Sequence, residues 1–423
     1  MTDAAWIDAA LTSARPQAVG ALLRYFRDLD AAEEAFQNAC LRALKSWPQN
    51  GPPRDPAAWL IMVGRNAGID DVRRVRREQP LPADEAISDL DDAESAIADR
   101  LDGSHYRDDI LRLLFICCHK DLPATQQIAL ALRVVSGLTV KQIARAFLVS
   151  EAAMEQRITR AKSRVAQANV PFETPGPVER SERLLAVAAM IYLIFNEGYS
   201  ASGETAELRK PLSEEAIRLA RLLLRLFPSE PEIMGLTALL LLQHARSAAR
   251  FDAQGSLILL EDQDRTLWNR PMIAEGVALI DKAIRHRRSG PYQIQAAIAA
   301  LHARAATPAE TDWTQIDLLY GALEVVQPSP VVTLNRAVAV SKVRGAQAAL
   351  DLIAPLEGRL ANYFYFFGVR GALLMQLGRN DEARTAFDRA IALAHSSAEA
   401  AHIRMQLDRL MRDSAVAQVR ATP

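Results

Sequence analysis

Two short stretches of this chain combine amide, carboxylate and guanidinium side chains at helical spacing. In WLIMVGRNAGIDDVRRVRRE (59–78), Asn66, Asp70, Arg73, Arg74 and Arg77 fall along one face by i+3/i+4 spacing, with Trp59, Val63, Ala67 and Val72 on or near the other. Amide and guanidinium groups make the hydrogen bonds that base edges and phosphates require. In LTVKQIARAFLVSEAAMEQRITRAKSRV (138–165), Met154, Ile158, Ala161 and Val165 recur at spacings of three and four and predict a buried stripe. The opposite face carries Glu151, Gln156, Arg157, Arg160, Lys162 and Arg164, and over 139–164 six Lys and Arg stand against two Glu. Thr139 and Ser150 are N-cap residue types, each ahead of a helical pattern, with Phe147, Leu148 and Val149 as the turn between them. That is the pattern of a helix-turn-helix, whose second helix presents long polar side chains to base edges and cations to phosphates. Leu148 departs from it, because many such turns use Gly to reach a left-handed backbone. The plainer readings are a surface helix in which Asp70 and Asp71 balance the arginines, and a helical hairpin with a solvated charged face.

Other constellations carry less. Cys117, Cys118 and His119 are too close in sequence to hold one tetrahedral ion, and no second Cys pair exists, so they read as buried apolar chain and no metal is expected. No HExxH, Walker loop or GxSxG occurs, and neither catalysis nor a cofactor is expected. Asn196, Glu197 and Tyr199 in FNEGY, with Glu261, Asp262 and Asp264 in LLEDQDR, form a candidate regulatory pocket for a small ligand or a peptide. Helix caps and interhelix hydrogen bonds would use the same residues.

The elements that must position these groups are helical. Half of the 423 residues are apolar and the net charge is −1, so any nucleic-acid role must come from local patches rather than from the whole chain. Residues 17–47 and 56–77 read as two helical segments, the first with a stripe of Phe36, Cys40 and Leu44 flanked by Leu41 and Trp47, and NGPPRDP (50–56) breaks between them. Residues 78–108 read as an acidic linker, since 78–109 holds eleven Asp and Glu against two Arg. A second helical block spans 109–170, PFETPGPVE (171–179) marks a boundary, and helical periodicity then dominates 181–423. Apolar runs around a Gly-Ser turn predict a β-hairpin at 250–262. Gly371, Gly378, Ala383, Phe387 and Ala390 fall at tetratricopeptide-repeat offsets, so the C-terminal part is expected to stack helical hairpins. Three cysteines imply no disulfide framework, the N-terminus lacks a signal-peptide pattern, and no apolar run reaches membrane-spanning length. The reading is a soluble, cytoplasmic, all-α protein.

These blocks resemble an extracytoplasmic-function sigma factor, a member of the sigma-70 family with only regions 2 and 4. FRDLDAAEEAFQNACLRALKSWP (26–48) is similar to region 2.2, PRDPAAWLIMVGRNAGIDDVRR (53–74) to regions 2.3 and 2.4, and 122–165 to region 4. FICCHKDLP, YLIFNEGYSASGE, LLEDQDRTLWNR, GPYQIQAAIAALHA and PSPVVTLNRAVAV resemble the subgroup with a long tetratricopeptide-like C-terminal extension. Lys120 and Asn38 depart from common family residues, Asn38 standing where an acidic residue is usual in the clamp helix. The resemblance implies that residues 1–77 bind core RNA polymerase and the −10 element and that 109–170 bind the −35 element of promoter DNA, with a regulatory domain following. It assigns Glu34, Gln37 and Arg42 to the polymerase clamp, Asn66, Asp70, Arg73, Arg74 and Arg77 to the −10 element, and Ser150, Glu151, Gln156, Arg157, Arg160 and Lys162 to the −35 element. It also implies a ligand or protein partner for the C-terminal domain and no membrane partner. Two other functions fit parts of the pattern: a helix-turn-helix regulator with a repeat-built sensor domain that needs no polymerase, and a peptide-binding scaffold.

Overall fold

The computed structural model describes residues 4–51, 53–76, 103–119, 121–167, 177–199, 204–252, 257–394, 400–401 and 403–408. The chain forms two compact units, Met1–Ile194 and Phe195–Pro423.

The first unit begins with three helices, α1 (Ala4–Phe26), α2 (Leu29–Asn50) and α3 (Pro56–Arg76). The segment expected to be one helix over 17–47 is broken between α1 and α2. Arg27 adopts φ 55°, and the Asp28 carboxylate accepts a hydrogen bond from the Ala31 N–H at 2.8 Å, which starts a new helix. Leu22 and Leu23 of α1, Phe36, Ala39, Ala43 and Trp47 of α2, and Leu60 and Val63 of α3 are buried. Trp59 meets Trp47 edge-on, with ring centroids 5.3 Å apart, and is a core anchor. Helix α4 (Gly103–Cys117) begins inside the segment read as acidic linker, and residues 77–102 lie outside the described residues. Three helices follow, α5 (Ala124–Val134), α6 (Val140–Ala146) and α7 (Glu151–Gln167). The boundary expected at 171–179 lies mostly outside the described residues, which resume with α8 (Pro177–Tyr199). Cys117 and Cys118 are buried, and the Cys118 Sγ sits 3.3 Å from the Met190 Sδ of α8.

The second unit is a run of helices: α9 (Glu204–Leu226), α10 (Pro231–His244), α11 (Arg270–Ile284), α12 (Pro291–Arg304), α13 (Trp313–Val326), α14 (Pro330–Arg344), α15 (Ala346–Ile353), α16 (Phe364–Gln376) and α17 (Asn380–Leu393). Helix α10 is apolar all round and buried along nearly its whole length, which makes it the local core. Carboxylates and guanidinium groups join neighbouring helices. Glu232 accepts from the backbone N–H groups of Tyr292 and Gln293 and from the Gln293 side chain, and so satisfies the first turn of α12. Arg336 of α14 donates to Asp317 at 2.7 Å and Glu324 at 2.6 Å, both on α13.

The α16–α17 hairpin bears out the repeat offsets. A side chain at Gly371 would lie 2.5 Å from the Phe387 ring, so only Gly lets the two helices approach. Gly378 turns the chain at φ 72°, and Ala383, Phe387 and Ala390 are fully buried. The β-hairpin expected at 250–262 is reduced to one antiparallel bridge between Phe251 and Leu257 among the described residues. The Gln263 amide takes the Ile258 carbonyl at 3.1 Å, an acceptor that a ladder would need, and the chain continues into a capped 3-10 turn at Arg265–Leu267.

Candidate nucleic-acid interface

Thr139 starts α6 with a complete capping box. Its hydroxyl accepts from the Gln142 N–H at 3.2 Å, and the Gln142 side chain accepts from the Thr139 N–H at 2.8 Å. Leu148, in the turn, adopts φ 53°, the left-handed conformation for which Gly is the usual residue, and its side chain is exposed. The Ser150 hydroxyl then accepts from the Ala153 N–H at 3.2 Å and opens α7. Met154, Ile158, Ala161 and Val165 are buried, as the periodicity predicts. This fixes which side of α7 faces outward. Ser150, Glu151, Gln156 and Arg160 are exposed and Arg157 is half-buried. Arg157 and Arg160 have no ion-pair partner among the described residues.

Lys162 is set apart from that group. Its Nζ lies 2.6 Å from both the Asp30 and the Glu33 carboxylates of α2. Burial lowers its pKa, but the two carboxylates outweigh burial and the net shift is upward. Glu33 is itself buried and also accepts from Arg15, whose Nε donates to the Val134 carbonyl at 2.9 Å. In this arrangement Lys162 is part of an ionic joint between α2 and α7 and not of the exposed face.

On α3, Asn66 is exposed beside the buried Ala67. Asp70, Arg73 and Arg74 lie on the same helix, but their side chains, and all of Arg77, lie outside the described residues. On α2, Glu34, Gln37 and Arg42 are exposed. The buried stripe of α2 differs from the one expected. It runs through Ala32, Ala35, Phe36, Ala39, Ala43 and Trp47, whereas Leu41 and Leu44 are 59% and 54% exposed and flank Gln37 on the outer face. Alanines fill the inner positions, packed against α1 and α3, and the larger leucines are left outside. The 3.6-residue period through those alanines was the readable signal.

Residues 11–78 match the family described as Sigma-70 region 2, and residues 112–165 match Sigma-70, region 4. The chain belongs to the sigma-70 family. It is a sigma factor of the extracytoplasmic-function kind with a C-terminal extension, and residues 183–284 of that extension match a family of unknown function (DUF6596). The sigma factor is 72% identical over 415 residues to an uncharacterized protein of Rhizobium meliloti (strain 1021), covering 98% of each chain.

In the sigma factor's extension, the residues read as one regulatory pocket have separate surroundings. The Tyr199 hydroxyl accepts from Arg246 at 3.1 Å, and the Arg250 guanidinium stacks on the Tyr199 ring, 3.7 Å from its centroid. Glu197 pairs with Arg209 at 3.4 Å, and Asn196 is half-buried nearby on α8. Asp264 caps the 3-10 turn by accepting from the Thr266 N–H and hydroxyl, which holds its carboxyl below the usual range. Asp262 is exposed one turn earlier, and Glu261 pairs with Lys342 of α14 at 3.2 Å. Among the described residues no group of three His, Cys, Asp or Glu could hold a metal, and no helix is long and apolar enough to cross a membrane. Burial pushes both the Cys117 and Cys118 thiols up.

Proposed function

We propose that this sigma factor binds core RNA polymerase through the outer face of α2 and directs it to promoters by reading a −10 element with α3 and a −35 element with α7. The observation that carries this reading is the exposed polar face of α7, held outward by four buried side chains and two capped helix starts. Ser150, Glu151 and Gln156 are placed to meet base edges, and Arg157 and Arg160 to meet phosphates. Asn66, Asp70, Arg73, Arg74 and Arg77 serve the −10 element.

The polymerase contact uses Glu34, Gln37 and Arg42. We add Leu41 and Leu44, since an exposed leucine pair between polar groups is the composition of a protein-binding patch. The sigma factor supplies recognition, and the polymerase supplies the covalent chemistry in the cytoplasm. Residues 181–423 serve as a fused regulatory domain. The test is association of the purified full chain with core polymerase, followed by run-off transcription from a promoter it selects. Co-purification and promoter-dependent transcripts are expected. Duplex binding without any association with core would instead identify a free-standing regulator. Each phosphate contact is expected to contribute about one unit to the slope of log affinity against log salt.

A further inference from the structure

The second unit contains a cleft of about 650 Å³, the size of small-molecule sites rather than of a packing defect. Its walls come from the 259–265 turn, α12, the 308–311 turn, α13, α14 and α16, so six chain segments converge on one space. Most of the surface is apolar, with Trp313 and Tyr320 as the aromatic contributors and Ile316 and Leu373 among the aliphatic ones.

The polar groups form a connected series. Lys342 lies 5.8 Å from the Trp313 ring, and that ring meets the His302 imidazole edge-on at 5.2 Å. The His302 carbonyl accepts from Arg265 at 2.9 Å. Arg265 is only 8% exposed, and its Nε has no hydrogen-bond acceptor among the described residues. Its guanidinium also donates to the Ala305 carbonyl and lies over the Trp268 ring, which fixes this charge in the cleft wall.

Charge points to the same kind of guest. Arg265 and Lys342 line the cleft against one carboxylate, Glu261, which leaves one positive charge uncompensated. Arg246 and Arg270 add to the field at Arg265, and Glu310 offsets part of it. Burial, then Arg246 and Arg265, hold His302 down to about 4, so at neutral pH it is an uncharged aromatic surface.

We propose that this cleft binds a small aromatic carboxylate, its ring against Trp313 and Tyr320 and its anionic group drawn to Arg265 and Lys342. A neutral aromatic would fill the apolar space but leave the cations unanswered, and a cation would be repelled. The inference does not depend on polymerase or DNA, so its failure would leave the sigma-factor reading untouched.

The experiment is calorimetric titration of the full chain with 2-naphthoate and with 2-naphthamide, which share a ring system and differ in charge. The acid is expected to bind at least tenfold more tightly than the amide. Lys342→Gln is expected to bring the acid to within about threefold of the amide. Val338→Trp, a rim residue that is 37% exposed, is expected to fill the cleft and abolish binding while leaving the circular dichroism spectrum unchanged. Equal binding of acid and amide, no binding of either at millimolar concentration, or undiminished binding by folded Val338→Trp would each overturn the proposal.

Discussion

The two units use charged side chains in opposite ways. In the second unit most of the informative charges face inward: Arg336 bridges Asp317 and Glu324, Glu232 caps α12, and Arg265 holds the carbonyls of His302 and Ala305. In the helix-turn-helix of the first unit, Arg157 and Arg160 make no ion pair among the described residues, while the neighbouring Lys162 is fully engaged. A charge that stabilises a fold is found opposite a counter-charge or a helix end. A charge held outward by the packing behind it, with no counter-charge beside it, stays open to solvent and to a partner. Residue type does not distinguish the two, but partnering does.

The largest effect is expected from acid acting on the second unit. His302 has its pKa lowered to about 4 by burial and by Arg246 and Arg265, against 6.5 when unfolded. Between those values the unfolded chain holds the proton that the folded chain refuses. Stability is therefore intact above pH 6.5 and falls as the pH drops toward 4, by about 3 kcal/mol at most. Urea unfolding of wild type and His302→Gln across this range should diverge on the acid side. Parallel curves would show that the imidazole is not shielded.

Next, Arg336→Ala strips Asp317 and Glu324 of a shared partner that is 25% exposed. Partial exposure reduces the loss expected for a buried pair to about 1–3 kcal/mol, read from the urea midpoint. A smaller change, of opposite sign, is expected for Leu148→Gly. It relieves a left-handed backbone at an exposed side chain and should stabilise by about 0.5–1 kcal/mol after the greater freedom of unfolded Gly is counted. The smallest effect on stability belongs to Arg157→Ala, within about 0.5 kcal/mol of wild type. The same variant should lower −35-dependent transcription and reduce the salt slope of promoter binding by about one unit. Unchanged −35-dependent initiation by folded Arg157→Ala, or a large loss of stability in that variant, would reverse the contrast between the two units.

Much of this was legible in the residues. The helix-turn-helix could be read to the residue, because Thr139, Ser150 and the Met154–Val165 stripe obey local rules of capping and period. The α16–α17 hairpin was equally open, since Gly371, Gly378 and Phe387 satisfy steric demands within one repeat. The break at Arg27–Asp28 was missed, although Asp28 was a readable cap. On α2, Phe36 and Trp47 are buried as their spacing predicts, whereas Leu41 and Leu44 are outside because Ala39 and Ala43 fill the inner positions.

Local patterns of residues thus sufficed for the all-α class, the start and outward face of α7, and the small residues that let repeat helices touch. All of these depend on interactions within a few turns of chain. Only the tertiary structure decided that Lys162 belongs to a joint with Asp30 and Glu33, that Leu41 and Leu44 are left outside, and that residues 259–376 enclose a cationic aromatic cleft. Those outcomes join groups far apart in sequence, and no local pattern states which distant carboxylate a lysine will meet or which space six separate segments will leave open.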